Sequence, residues 1–167
     1  MKFLGKFSIA AVTVLSSLIL AVILSLHSPL TASKALASDN TIVGSWYVNA
    51  VGAPFQPHVM AFHSDNTLLI DNPEAGDPHT SDSVGVGPWK YDQNNNNIIK
   101  GKFVEVNADR TTNQFVNNLV VTFTVTLNGD SFTGPAEANY YDANWNHTDG
   151  PFPATLNGTK IKFNSLP

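Results

Sequence analysis

Residues 118–141 read NLVVTFTVTLNGDSFTGPAEANYY, two alternating runs on either side of Asn128-Gly129-Asp130. Asn-Gly supplies the positive φ that a tight turn between antiparallel strands requires, so the stretch predicts a β-hairpin. In its first arm Leu119, Val121, Phe123, Val125 and Leu127 share one face, and Val120, Thr122, Thr124 and Thr126 share the other. Successive side chains of a strand point to opposite sides, so the first set is the core face. In the second arm Phe132, Gly134, Ala136, Ala138 and Tyr140 oppose Thr133, Pro135, Glu137, Asn139 and Tyr141. The small inward trio leaves either open space or a close backbone approach. Large residues from other strands, Phe62 or Trp89 among them, are the competing way to fill that space.

Outward from this hairpin the same punctuation recurs. Apolar or alternating runs cover Ile42 to Val51, His58 to His63, Thr67 to Asp71, Val84 to Tyr91, Ile98 to Asn107 and Pro153 to Phe163. Each is bounded by Asn, Asp, Gly or Pro, and no amphipathic helical stretch intervenes. With the two arms of the hairpin this makes eight runs, mostly joined by short links such as Ser64-Asp65-Asn66 and the Asn-rich Asp92 to Asn97. Eight sequential strands can close on themselves and remove both exposed edges. The expected fold is therefore all-β: an eight-stranded antiparallel up-and-down barrel, with an open β-sandwich as the alternative. A barrel of this size is filled by side chains or holds one small molecule.

The first 37 residues have a different character. Lys2 and Lys6 precede an apolar stretch from Phe7 to Leu26, and Ala35-Leu36-Ala37 is an A-x-A cleavage site. These features predict a secretory signal peptide over 1–37 and a single barrel domain over 38–167. The rival is a retained anchor, because about 20 apolar residues can span a bilayer. The expected location is secreted or periplasmic, with no membrane association once the leader is removed. All 13 acidic residues but only six of the nine basic ones lie after Ala37, giving that part a formal charge of −7. Such a surface repels phosphate backbones, so no nucleic-acid partner is expected. The chain has no cysteine, which excludes disulfides and lipid attachment through a thiol and leaves stability to burial and hydrogen bonding.

Gly44-Ser45-Trp46, near the start of the first run, resembles the G-x-W signature of lipocalins and the wider calycin barrels. Those proteins lay this Trp across the closed floor of the barrel, with a basic side chain near the last strand packed on the indole. The resemblance implies that role for Lys160, within Gly158-Thr159-Lys160-Ile161. Together with Ala61 to Thr67 and Gly87-Pro88-Trp89-Lys90, these segments look like the exported lipocalin-like proteins of bacteria. The C-terminal helix, the disulfides and the second signature of typical lipocalins are missing. The likeness implies a cavity for a small hydrophobic ligand, opening opposite the Gly44, Trp46 and Lys160 floor.

Met60, Phe62, Trp89, Phe123, Tyr140 and the strip Gly134, Ala136 and Ala138 are the expected lining. His58 shares its face with Met60 and Phe62, so it either looks into the mouth or sits on a wet rim. Tyr91 is a further inward candidate. Glu105 shares a face with Ile99, Gly101 and Phe103. If Phe103 points inward, Glu105 does too, and an apolar cavity would raise its pKa and make it a general acid or base. The expected arrangement is instead a bulge near Gly101, which buries Val104 and Val106 and exposes Glu105. His79 lies in the long link from Asn72 to Ser83 with Asp77 and Asp82, and His147 lies beside Asp142 and Asp149. Neither spacing is a metal-ligand pattern, so no metal is expected, and the first link reads as a mouth loop. No phosphate-binding glycine loop, nucleophile elbow or Cys/His pair is present, so no cofactor is expected. Three functions follow in order: binding a small hydrophobic molecule, a cyclase or isomerase using His58, Glu105 and Tyr140, and a cell-surface interaction module with a packed interior.

The leader carries the first testable expectation. N-terminal sequencing of exported protein should begin at Ser38, and a mature chain beginning near Met1 would contradict cleavage.

Overall fold

The computed structural model describes residues 41–72 and 78–163. The leader with its cleavage site, and Asp77 in the long link, lie outside the described residues. Nine strands, β1 Gly44–Val51, β2 Pro57–Phe62, β3 Thr67–Asp71, β4 Thr80–Asp82, β5 Gly85–Tyr91, β6 Ile98–Asp109, β7 Phe115–Asn128, β8 Ser131–Tyr141 and β9 His147–Lys160, form one sheet. Every pairing is antiparallel. β4 pairs with one end of β6, through Asp82 and Asn107, and β5 pairs with the other, through Tyr91 and Ile99. The two are pieces of one interrupted barrel strand. Pairing of β6 with β7 then joins the ends of the sheet. The result is a closed eight-stranded antiparallel barrel, which leaves no long sheet edge unpaired.

An additional strand and an early strand start depart most from the expectation. The link after Asn72 contains β4, whose Thr80, Ser81 and Asp82 carry no apolar alternation to announce a strand. β9 starts at His147 rather than Pro153, because Tyr141 and Tyr140 pair with His147 and Asp149 after register shifts. Shifts of this kind break the period of two on which the sequence reading depends.

One half of the barrel is solidly filled. Trp46 is fully buried, donates its indole N–H to the Ile42 carbonyl at 2.7 Å and packs on Phe132 at 5.0 Å between ring centroids. Lys160 Nζ sits 5.5 Å from the Trp46 ring centroid and donates to the Thr41 carbonyl at 2.9 Å. Ile42, at the base of the same group, donates its N–H to the Tyr91 hydroxyl. Above them Phe62 meets Trp89, Phe123 and Phe132 edge-on at 5.9, 6.2 and 6.2 Å. Edge-to-face contact sets the positive rim of one ring on the negative face of another. Trp89 donates its indole N–H to the carbonyls of His63 and Thr67 at the β2–β3 turn.

Glycines make this density possible. Gly101 pairs with Phe123, and Gly158 pairs with Phe132. A Cβ on Gly101 would fall 2.2 Å from the Phe123 ring, and one on Gly158 would fall 2.3 Å from the Phe132 ring. Each ring therefore lies flat over a neighbour that has no side chain. Gly134 resolves the ambiguity in the small inward strip: its Cβ would fall 2.2 Å from the Thr124 carbonyl oxygen on β7. Its smallness serves a close backbone approach and not open space.

Gly134→Ala is therefore expected to destabilise the protein by about 1–3 kcal/mol, the usual cost of overpacking. Equilibrium urea unfolding measures this, and an unchanged midpoint would refute the close-approach reading.

Candidate functional site

The other half of the barrel is not filled. A cavity of about 280 Å³ lies between the β1–β2 loop and the ends of β6, β7, β8 and β9. Its walls are mostly apolar: Val48, Ala50 and Leu156 toward the packed half, Ile70, Phe103, Leu119 and Val121 along the sides, and Phe55 and Phe152 toward the outside. Ala136, Ala138 and Ala154 make space here, since larger side chains would occupy it. The polar groups in the lining are His58, Asn72, Glu105 and Tyr140, with the exposed Glu137 at the border. Among the described residues no lysine or arginine lines the cavity.

Glu105 points inward and is 3 % exposed. β6 keeps one register with β5 and with β7 through Gly101, and the only shift against β7 comes between Asn107 and Ala108. The expected bulge at Gly101 is thus absent from this ladder. Ile99, Phe103, Glu105 and Asn107 are buried along one face, whereas Val106 is 47 % exposed. The Glu105 side chain occupies the space that Gly85 leaves: a Cβ there would sit 2.9 Å from Oε1. Among the described residues its carboxyl makes no hydrogen bond. Loss of hydration, then the negative charges of Asp82 and Asp71, push its pKa up to about 8. The carboxyl consequently holds its proton at neutral pH.

His58 stands on β2 at the edge of the same cavity. Its Nδ1 donates to the Gln56 carbonyl at 2.8 Å, and Nε2 accepts from the Asn72 amide at 3.0 Å. A carbonyl can only accept, which fixes the proton on Nδ1 and leaves Nε2 as the bare acceptor. Burial lowers its pKa, outweighing the opposite effects of the Gln56 hydrogen bond and of Asp82. The net effect favours the neutral ring. Tyr140, on β8, packs edge-on against Phe152 at 5.9 Å. Burial, then the charges of Glu105 and Asp149, raise its pKa, so it stays a hydroxyl.

The structure thus brings together His58, Glu105, Ala136, Ala138 and Tyr140 from the expected set. Met60, Phe62, Trp89, Phe123 and Gly134 belong to the packed half and do not line the cavity, and Gly44, Trp46 and Lys160 lie at the floor. Tyr91 also sits at the floor, with its ring 5.2 Å from Trp89. Phe55, Asn72, Leu119 and Phe152 were not singled out by sequence reasoning. Leu119 shares a face with Phe123 but sits nearer the open end. Phe55 and Asn72 belong to links, where no alternation marks direction. Farther out, Asn107 is buried and donates to Asn117 Oδ1 at 2.8 Å.

The Asp142 carboxylate accepts from Asn144 and Asn146 within its own turn, and His147 Nε2 contacts Asn139 Oδ1 at 3.1 Å. Among the described residues no three His, Asp or Glu side chains gather as a metal site. No family model, curated protein or solved structure matches this chain.

Glu105 ties stability to pH with a definite sign. Its folded pKa lies above its unfolded value, so the unfolded chain loses this proton first. The stabilisation is complete below about pH 4.5 and is lost as pH rises toward 8, at up to about 1.4 kcal/mol per unit. Glu105→Gln should flatten this part of the stability profile and leave the variant more stable than the parent at pH 8. Urea unfolding at pH 5, 6.5 and 8 measures it, and parallel profiles would contradict a buried protonated carboxyl.

Proposed function

We propose that this protein is an exported, lipocalin-like barrel that takes up a small, largely apolar molecule through its open end. One observation carries the reading: the barrel is packed to full density over the Trp46 floor and then left hollow around a buried carboxyl. Cavities are costly in a core, because their walls lose dispersion contacts and hydrophobic burial. An apolar hollow with a few polar groups at one side is the usual form of a small-molecule site. The space takes on the order of a dozen non-hydrogen atoms at native packing density. Lys160 over Trp46 supports the lipocalin likeness, and the Lys2-to-Ala37 leader supports export.

A second reading, an isomerase or cyclase, draws on the same cavity. Glu105 keeps a proton, and neutral His58 offers Nε2 as an acceptor once the Asn72 amide releases it, which places an acid and a base within one hollow. Tyr140 adds a hydroxyl. An interaction module with a packed interior is the reading that the cavity runs against.

A neutral fluorophore of naphthalene size should brighten on addition of the protein. Ala138→Phe, which fills the hollow, should weaken its binding by roughly tenfold or more while the circular dichroism spectrum stays unchanged. No change in emission across a panel of such probes would contradict the binding reading.

A further inference from the structure

We propose that the occupant of the cavity is a small apolar amine, seated with its ammonium group against Glu105. The inference rests on the binding reading above and specifies the chemistry of the ligand.

Three observations converge on it. The first is the state of Glu105 itself. It is 3 % exposed, borders the cavity and makes no hydrogen bond among the described residues. A buried carboxyl without a partner is destabilising, and an ammonium donor both pairs its charge and fills its hydrogen-bonding capacity.

The second is the sign of the field around it. Asp71 at the end of β3 and Asp82 on β4 both act on Glu105, and Asp149 on β9 acts with it on Tyr140. His58, facing it from β2, is held neutral, and Tyr140 from β8 is held as the hydroxyl. Among the described residues no lysine or arginine lines the cavity. A ligand carboxylate would be repelled. A ketone or alcohol would accept one hydrogen bond from the protonated acid and bring no positive charge to it.

The third is aromatic. Phe55, Phe103, Tyr140 and Phe152 all border the same space, and ring faces attract a cation that has shed its water. His58 has both ring nitrogens engaged, with Gln56 and Asn72, so it does not compete for the ammonium protons.

Proton balance follows directly. In the empty site near neutral pH Glu105 holds a proton. Seating an ammonium releases that proton to solvent, and the pair that remains is carboxylate with ammonium. Binding therefore tightens as pH rises toward 8, by up to roughly tenfold per unit. It weakens again where the free amine loses its own proton.

The test compares three ligands of one shape, 2-phenylethylamine, 2-phenylethanol and phenylacetate, by titration calorimetry with the intact exported protein. Runs at pH 6 and pH 8, in buffers of different ionisation enthalpy, report the protons released. The amine is expected to bind roughly tenfold or more tightly than the alcohol, with phenylacetate weakest and about one proton released at pH 6. Glu105→Gln should bring the amine down to the level of the alcohol, abolish proton release and leave alcohol binding in place. Equal binding of amine and alcohol by the unmodified protein, or amine binding unchanged in Glu105→Gln, would overturn the amine assignment while the apolar site stands. Failure of all three ligands, together with the naphthalene-sized probes, would overturn both.

Discussion

The register of β6 against β7 is the constraint on which this structure depends. It closes the barrel, running from Ile98 opposite Thr126 to Asn107 opposite Asn117 without a slip. It also decides which side of β6 faces inward. Because side chains alternate, a slip of one residue would turn Phe103 and Glu105 outward and send Lys102, Val104 and Val106 into the interior. Two lysines, Lys100 and Lys102, would then share that inward face. The burial cost of those cations makes the slipped register unfavourable. The carboxyl in the cavity is therefore fixed by the same ladder that removes the edges of the sheet.

Within that closed wall, side-chain size varies along the barrel axis. Toward the floor, large rings are set over glycines, so Trp46, Phe62, Trp89, Phe123 and Phe132 interlock. Toward the mouth, Ala136 and Ala138 on β8 and Ala154 on β9 leave space that larger side chains would fill. Density in one half and vacancy in the other follow from where the bulky and small residues fall on the inward positions. Of the polar groups of the cavity, Asn72 lies in the link after β3, whereas His58, Glu105 and Tyr140 come from β2, β6 and β8. The positions of these three are set by strand pairing, more rigidly than loops would hold them.

Much of this was legible in the sequence, for identifiable reasons. The arms around Asn128-Gly129 alternate cleanly, and short links of Asn, Asp and Gly set off most other runs, so the antiparallel strands could be counted. The polar strand Thr80–Asp82 could not be seen, because nothing in Thr-Ser-Asp distinguishes a strand from a link. The early start of β9 was hidden by register shifts beside Tyr140. The orientation of Glu105 was a contest between two patterns on one strand. Phe103 and Ile99 favoured one face, Val104 and Val106 the other, and pairing with β7 decided for the first. Depth was the largest gap. Alternation tells inward from outward but not how far along the barrel a side chain lies, so Phe62, Trp89 and Phe123 could not be distinguished from Ala138 and Tyr140 as wall residues.

The location of the indoles has an optical consequence. Trp46 and Trp89 are sealed in the floor half, and the remaining tryptophan, Trp145, lies exposed in the β8–β9 link. None of the three borders the hollow. Intrinsic fluorescence of this protein therefore senses the integrity of the floor and the wetting of one outer loop, while direct contact with an occupant of the hollow falls to Tyr140 and the phenylalanines. Folding and occupancy are thereby separated into two spectroscopic channels by the way the barrel is filled.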